Sequence, residues 1–130
     1  MSAVETLGLA SRARQAVLDA LTELGAPNLS GDSGAFYPAP VGVLVGLPTL
    51  VSRGLAASTY TVPVFVVSGD PLNDTRAVDR LYALADDCAL TLRIDSYRAS
   101  SWQGGATSEP QPAIEMQATI TIRYMTEEAR

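Results

Sequence analysis

The sequence predicts an α+β fold in which two helices pack on one face of a four- to five-stranded sheet, antiparallel or mixed. Apolar residues recur at helical spacing in residues 3–24 and in a later segment that ends near Leu90. From Ile114 to Tyr124 apolar and polar residues alternate, which is typical of a strand with one face in water. The order helix, strand, strand, helix, strand, strand gives one helical layer on one sheet. The 130 residues suit a single domain over 1–130.

A long loop follows the first predicted helix. Gly25 can cap the helix, and Pro27 prevents its continuation. Glycines and prolines then punctuate residues 25–40, and so long a connection suggests a binding loop. The apolar side of the helix, interrupted by one arginine, is predicted to comprise Val4, Leu7, Ala10, Ser11, Arg14, Val17, Leu18, Leu21 and Leu24.

Two segments that favour strands come next. Residues 41–51 are apolar and β-branched but are interrupted by Gly46 and Pro48, so they predict one bent strand or two short ones. Residues 59–67 predict a strand with two largely apolar faces, which indicates a central strand or one covered on both sides. Pro63 argues against full pairing of this strand, because proline has no N–H to donate.

The second helix is predicted to begin at a turn, with Asp70 before Pro71 as its N-cap or Asn73 one turn later. The single cysteine of the chain falls on its apolar side and is interpreted as part of the core. Residues 91–97 then predict a third strand, and residues 99–112 a second long loop. The helix is predicted to bury Val78, Leu81, Leu84, Ala85, Cys88 and Leu92, and to expose Asp79, Arg80, Asp86 and Asp87.

The polar side of the last strand has three interpretations. It is a solvated face of the sheet, a face that packs on a neighbouring subunit in a ring, or the wall of an aqueous channel. The strand is longer than most. Its polar row consists of Glu115, Gln117, Thr119, Thr121 and Arg123.

The composition excludes several kinds of chemistry. The chain has no histidine and no lysine, and Cys88 is its only cysteine. These absences rule out a Cys/His zinc site within one chain, a histidine-activated nucleophile, a Schiff base and a phosphate-loop lysine. The net charge of −5 argues against affinity for DNA phosphates or anionic membranes. No segment predicts a signal peptide or a membrane span, so we expect a protein without enzyme activity, cofactor or membrane association.

Several polar or aromatic features have both a functional and a structural interpretation. Asp70, Asn73 and Asp74 could bind a hard cation such as Ca²⁺, although helix capping explains them better. The aspartates of the second helix form an acidic patch or a solvated face. Trp102, placed in a loop, is an interface anchor or folds back over the core. The proline-containing stretch 109–112 is a recognition arm or a rigid lead-in to the last strand.

A series of features covers nearly the whole chain. It consists of the first helix, the Pro/Gly-rich strand 38–48, the strand 60–67 with its Ser68-Gly69-Asp70-Pro71 turn, Asp95-Ser96-Tyr97-Arg98 leading to Ser101-Trp102, and Glu109-Pro110 before the alternating last strand. In order and spacing these features resemble the tail terminator (tail completion) proteins of long-tailed phages that infect actinobacteria. A basic set made only of arginine is consistent with a GC-rich host.

The resemblance implies a ring, a homohexamer, that caps the head-proximal end of the tail tube, stops tube polymerisation and offers a docking face to the head. The implied partners are further copies of the chain, the major tail tube protein and a head-tail connector or stopper protein, while DNA passes through the lumen without specific binding. The ring would assemble in the host cytoplasm and reside in the virion. We expect interface residues among Arg53, Trp102, Glu109, Glu115 and Arg123, with Glu109 and Glu115 near the lumen.

Three other functions fit parts of the sequence. The chain could be another neck protein, either a head-tail connector or a head-closure stopper. It could be a small-molecule binding α+β domain with a pocket lined by Tyr37, Tyr60, Tyr97 and Trp102. It could also be a carboxylate-based, metal-assisted enzyme that uses Asp70 with Asp74, or Asp86 with Asp87.

Overall fold

The structure, a computed structural model, describes residues 2–69, 75–104 and 109–124. Within these ranges it contains two helices and a sheet of five strands, and all pairs of these strands are antiparallel. The predicted α+β fold is confirmed. In chain order the elements are α1 (Ser2–Leu24), β1 (Val41–Val45), β2 (Thr49–Arg53), β3 (Ala57–Ser68), α2 (Thr75–Leu92), β4 (Arg98–Trp102) and β5 (Gln111–Arg123).

β3 is the central strand, as predicted. One of its edges pairs with β5 along almost the whole strand, and its other edge pairs with β1 near one end and with β2 near the other. β4 pairs only with the first part of β5, from Gln111 to Glu115. The sheet is therefore four strands wide where β1, β3, β5 and β4 lie side by side. It is three strands wide where β2, β3 and β5 do, and we call this region the three-stranded end.

α1 and α2 pack on the same face of the sheet, which we call the helix face. Val62, Val64 and Val66 of β3 are completely buried there, in one apolar cluster with both helices. Full burial of a valine side chain stabilises a fold by about 1.5 kcal/mol or more, so this cluster holds the two layers together. The helix residues within it are Leu9, Ala13, Val17, Leu21, Leu81, Ala85, Cys88 and Ala89.

The predicted apolar sides of the helices are largely correct. In α1 the buried stripe is centred on the row that contains Val17 and Leu21. Ser11 and Leu24, predicted on the same side, are exposed, and Val4 and Leu7 lie outside the described side chains. In α2 the thiol of Cys88 is fully buried, as predicted. Burial, followed by the charge of the neighbouring aspartate, raises the pKa of this thiol to about 12.

Both helices end with a residue in the left-handed conformation. Gly25 follows α1 with φ 82°, as expected of a C-cap. Arg93 takes the equivalent place after α2 with φ 58°. The N–H of Ile94 donates to the carbonyl of Ala89 at 2.8 Å and completes the cap. An arginine thus ends α2 at a position where glycine is the usual choice.

The strand predicted over residues 91–97 is wrong. Thr91 and Leu92 belong to α2. The strand that follows α2 is β4, which starts at Arg98 and continues into residues predicted as the start of the loop 99–112. Leu92 and Ile94 are spaced like strand residues, but both pack partly buried against the core from the end of a helix and the segment after it.

The segment predicted over residues 41–51 forms two short strands, β1 and β2, and β2 continues to Arg53. Pro63 in β3 lies opposite the gap between them. The N–H of Gly46 donates to the carbonyl of Pro63 at 2.8 Å, but Pro63 has no N–H to return the bond. Arg14 of α1 supplies the missing donor, because its Nε donates to the Gly46 carbonyl at 3.1 Å. A Cβ at position 46 would lie 2.7 Å from Cγ of Pro63, so glycine is required there.

The loop predicted over residues 25–40 has a structural role. The N–H of Ser30 donates to the carbonyl of Val43 at 3.0 Å, and the N–H of Val45 donates to the carbonyl of Ser30 at 2.9 Å. This short parallel bridge covers the outer edge of β1, which would otherwise be an unpaired strand edge.

Candidate assembly surfaces

The face of the sheet opposite the helices, here called the polar face, carries the predicted polar row of β5. Gln117, Thr119, Thr121 and Arg123 are exposed on it, while the residues between them are buried or half-buried. The hydroxyl groups of Thr59 and Thr121 form a hydrogen bond of 3.0 Å across β3 and β5. Within the described residues both helices lie on the other side of the sheet, so the middle of the polar face faces solvent.

A second apolar cluster covers the other end of the polar face. Trp102, at the end of β4, packs edge-to-face against Phe36, with ring centroids 5.1 Å apart and an interplanar angle of 87°. Only 9% of Trp102 is exposed. Of the two predicted alternatives for this tryptophan, folding back over the molecule is therefore the one observed, although it lies in a strand and not in a loop. The other buried members of the cluster are Leu44, Val67 and Ala113.

Glu115 is half-buried next to this cluster. It lies directly opposite Arg98 of β4, whose Nη2 donates to its Oε1 at 3.0 Å. The side chain of Arg98 is 76% exposed and that of Glu115 is 19% exposed. Solvent therefore screens the pair, which contributes about 1 kcal/mol at most.

β5 has an open edge beyond the end of β4. Among the described residues no strand pairs with its outer edge from Met116 to Arg123. A groove with a volume of about 720 Å³ lies beside this edge, between α1 and the connection from α2 to β4. Its apolar lining includes Ala16, Ala20, Leu92, Ile94, Met116 and Ile120.

The backbone groups on this open edge belong to odd-numbered residues. Successive residues of a strand direct their N–H and C=O groups to alternate neighbours. The carbonyl of Pro63 faces Gly46 on the β1 side, so its partner in β5, Gln117, directs its own groups away from β3. By the same alternation, the N–H and C=O groups of Gln117, Thr119 and Thr121 point out of the sheet.

The opposite edge of the three-stranded end is open as well. Among the described residues β2 pairs with β3 alone, and all five of its residues are exposed. The register leaves the N–H and C=O groups of Leu50 and Arg53 pointing outward. Exposed apolar side chains gather on and beside this strand, at Leu47, Leu50, Val51 and Leu55. An edge strand with such side chains favours association with another chain.

The structure distributes the five predicted interface residues over both ends of the sheet. Arg53 ends β2 and Arg123 ends β5, so both lie exposed at the three-stranded end. Glu109 is exposed just before β5, two residues from Gln111, which pairs with Trp102. Glu115 lies further along β5, opposite Arg98. A contact of any of the five with a neighbour stays a prediction.

The aromatic pocket predicted from four side chains does not form. Tyr60 is buried in the core of the helix face, whereas Trp102 is buried on the polar face. Tyr37 is exposed, and Tyr97 is the member of the set that borders the groove. The sheet lies between Tyr60 and Trp102, so the four side chains do not line one pocket.

The sequence predicts two acidic clusters, one in the turn before α2 and one on α2 itself. Asp70, Asn73 and Asp74 lie outside the described residues. In the described part of the chain, no group of three or more His, Cys, Asp or Glu side chains is arranged to hold a metal ion. Asp86 on α2 instead accepts a hydrogen bond of 2.5 Å from the hydroxyl of Tyr97.

Tyr97 is expected to ionise at a higher pH than an ordinary tyrosine. The hydrogen bond to Asp86, then burial and nearby charge, raise its pKa above the usual 10.0. In an ultraviolet absorbance titration, the transition lost in Tyr97→Phe should lie above pH 10.0, and Asp86→Ala should move it to lower pH. A Tyr97 transition that does not respond to Asp86→Ala would contradict this contact.

No protein-family model matches the sequence, and no curated protein matches it. Neither helix in the ranges that the structure describes is long and apolar enough to cross a membrane.

Proposed function

We propose that this chain is a structural protein of a phage virion, a tail terminator that forms a ring, hexameric by resemblance, at the head-proximal end of the tail tube. The ring ends polymerisation of the tube and joins the tail to the head connector. The observation that carries the proposal is that the three-stranded end has two different open edges, β2 on one side and β5 on the other.

Two different edges on one molecule favour head-to-tail association. Such contacts repeat from copy to copy, and they close into a ring when the rotation between copies divides a full turn. A monomer gains nothing from an open edge, since unpaired strand edges promote aggregation. The two edges are therefore best explained as halves of one contact between identical subunits.

The polar face suits the wall of an aqueous channel. Its exposed residues are hydroxyl, amide and charged side chains that need no protein partner, and Glu115 lies on the same face. The net charge of −5 and the lack of lysine disfavour tight binding of DNA phosphates. A conduit for DNA requires that weak interaction.

The test measures assembly of the purified chain and its effect on the tail tube. We expect light scattering to show a ring, alone or when purified tail tube protein is added, and electron microscopy to show tubes of limited length. Tube protein without the chain is the control and should form tubes of unregulated length. A chain that stays monomeric at tube ends and leaves their length unchanged would refute the proposal, and binding only to a portal-side adaptor would reassign it to a connector.

A further inference from the structure

We propose that β2 of one subunit adds as a strand to the open edge of β5 in the next subunit, so that the sheets of neighbouring copies are continuous. The occupant of the groove beside β5 is then the β2 segment of a second copy of this chain, defined as residues 47–55. This inference rests on the self-association in the proposed function and names the contact that produces it.

Hydrogen bonding is the first argument. The outward N–H and C=O groups of Gln117, Thr119 and Thr121 need partners that a strand supplies, and those of Leu50 and Arg53 need the same. Pairing the two edges satisfies both sets in one contact. Strand addition of this kind is a common mode of recognition between chains.

Direction and length also agree. β2 and β5 both run antiparallel to β3, so they run in the same direction. A rotation about an axis along the strands preserves that direction and produces a parallel pair between subunits. β2, Thr49–Arg53, is shorter than the open edge Met116–Arg123 at roughly 3.3 Å per residue, so the whole of β2 fits along that edge.

Apolar contacts provide the second argument. Leu47 is 78% exposed, Val51 is 58% exposed and Leu55 is fully exposed, which is unfavourable in water. The groove beside β5 offers apolar side chains from α1, from β5 and from the segment after α2. Docking the β2 segment there removes its exposed apolar side chains and those of the groove from water in one contact.

Charges of both signs line the groove, since Arg93 and Arg98 stand beside Asp95 and Glu115 there. Arg53 shares a face with Ser58, and Arg123 shares the opposite face with Ala57, so a continuous sheet keeps the two arginines on different sides. At the wider end β4 has an open edge too, but β1, on the other side, is covered by the Ser30 bridge. Of the two ends, the three-stranded end thus has both edges available.

Proline substitutions test the contact by removing a single outward N–H. Thr119→Pro blocks the edge of β5 and Leu50→Pro blocks the edge of β2, and neither N–H is used within the sheet. The matched control is Ala99→Pro, which removes an outward N–H from the edge of β4. We expect both blocking variants to be folded monomers by circular dichroism and light scattering, and the control to assemble like the unaltered chain.

Mixing the two blocked variants distinguishes head-to-tail pairing from other arrangements. Each retains the edge that the other lacks, so an equimolar mixture should give a dimer that grows no further. Rings that form despite both prolines, a block by only one of them, or a block by Ala99→Pro would each overturn the proposed contact. If the unaltered chain forms no ring even with tail tube protein, the proposed function fails instead.

Hydrogen exchange in the assembled, unaltered chain provides a test that does not depend on a variant that folds. The amides of Gln117, Thr119 and Thr121 should exchange about tenfold or more slowly than exposed loop amides. Exchange of these three amides at the rate of exposed amides in the ring would rule out strand addition at β5.

Discussion

Trp102→Ala is expected to lower the free energy of unfolding by about 3 kcal/mol or more, the usual cost of removing a buried tryptophan. Trp102 stacks edge-to-face on Phe36 and ties β4 to the loop that precedes β1. Its removal leaves a cavity between these two segments, since Phe36 is itself buried in one cluster with the sheet residues Leu44 and Val67.

Urea unfolding of the monomer measures this change. Tyr37→Ala is the matched control, because Tyr37 is an exposed aromatic in the same loop as Phe36 and its loss should change stability by about 0.5 kcal/mol or less. A Trp102→Ala chain with unchanged stability but no assembly would instead make this tryptophan the interface anchor that the sequence allows.

Arg14→Met is expected to lower the free energy of unfolding by about 2 to 3 kcal/mol. The guanidinium donates to the carbonyls of Gly46, at 3.1 Å, and Gly31, with a longer contact of 3.5 Å to Val45. Hydrogen bonds of charged groups contribute about 1.5 to 3 kcal/mol, and a carbonyl left unpaired adds a penalty. Gly46 has no replacement donor in the sheet, because the residue opposite it is Pro63.

A double-mutant cycle separates this local role from a general loss of charge. Pro63→Ala restores a backbone N–H opposite Gly46, so its cost should be smaller in the Arg14→Met chain than in the unaltered one. Arg76→Met removes an exposed arginine from α2 and should change stability by about 0.5 kcal/mol or less. Equal effects of Pro63→Ala in both backgrounds would show that Arg14 and Pro63 do not share the Gly46 carbonyl.

Elements with a strong hydrophobic period were predictable from the sequence. Residue type follows burial closely in the apolar sides of both helices, in the central strand and in β5. Gly25 marks the end of α1 in the same way. The end of α2 was not predictable, because Arg93 takes the left-handed cap position and carries no signal for it.

β4 was not predictable from its own residues. Arg98–Trp102 is mostly exposed and polar, so nothing in its composition favours a strand. It forms because Trp102 is fixed in the cluster with Phe36 and because the backbone of β5 is available beside it. Phe36 lies far from β4 in the sequence, so local patterns cannot detect the contact that fixes Trp102.

The candidate assembly surfaces were predictable only in part. The polar row of β5 was visible as alternation, but its open edge depends on where β4 ends, and that required the structure. The β2 segment from Leu47 to Leu55 was visible as apolar residues between turn signals. However, apolar residues in a short strand normally indicate burial. Only the pairing of β2 with a single neighbour reveals that these side chains are exposed.

The alternation along β5 has a consequence for how such a subunit can evolve. At Gln117, Thr119 and Thr121 the side chains occupy the polar face, while the peptide groups of the same residues occupy the free edge. In the proposed ring, the main chain would hold the subunits together and the side chains would meet whatever passes through. Natural selection could then alter the character of the passage one amino acid at a time without loosening the ring.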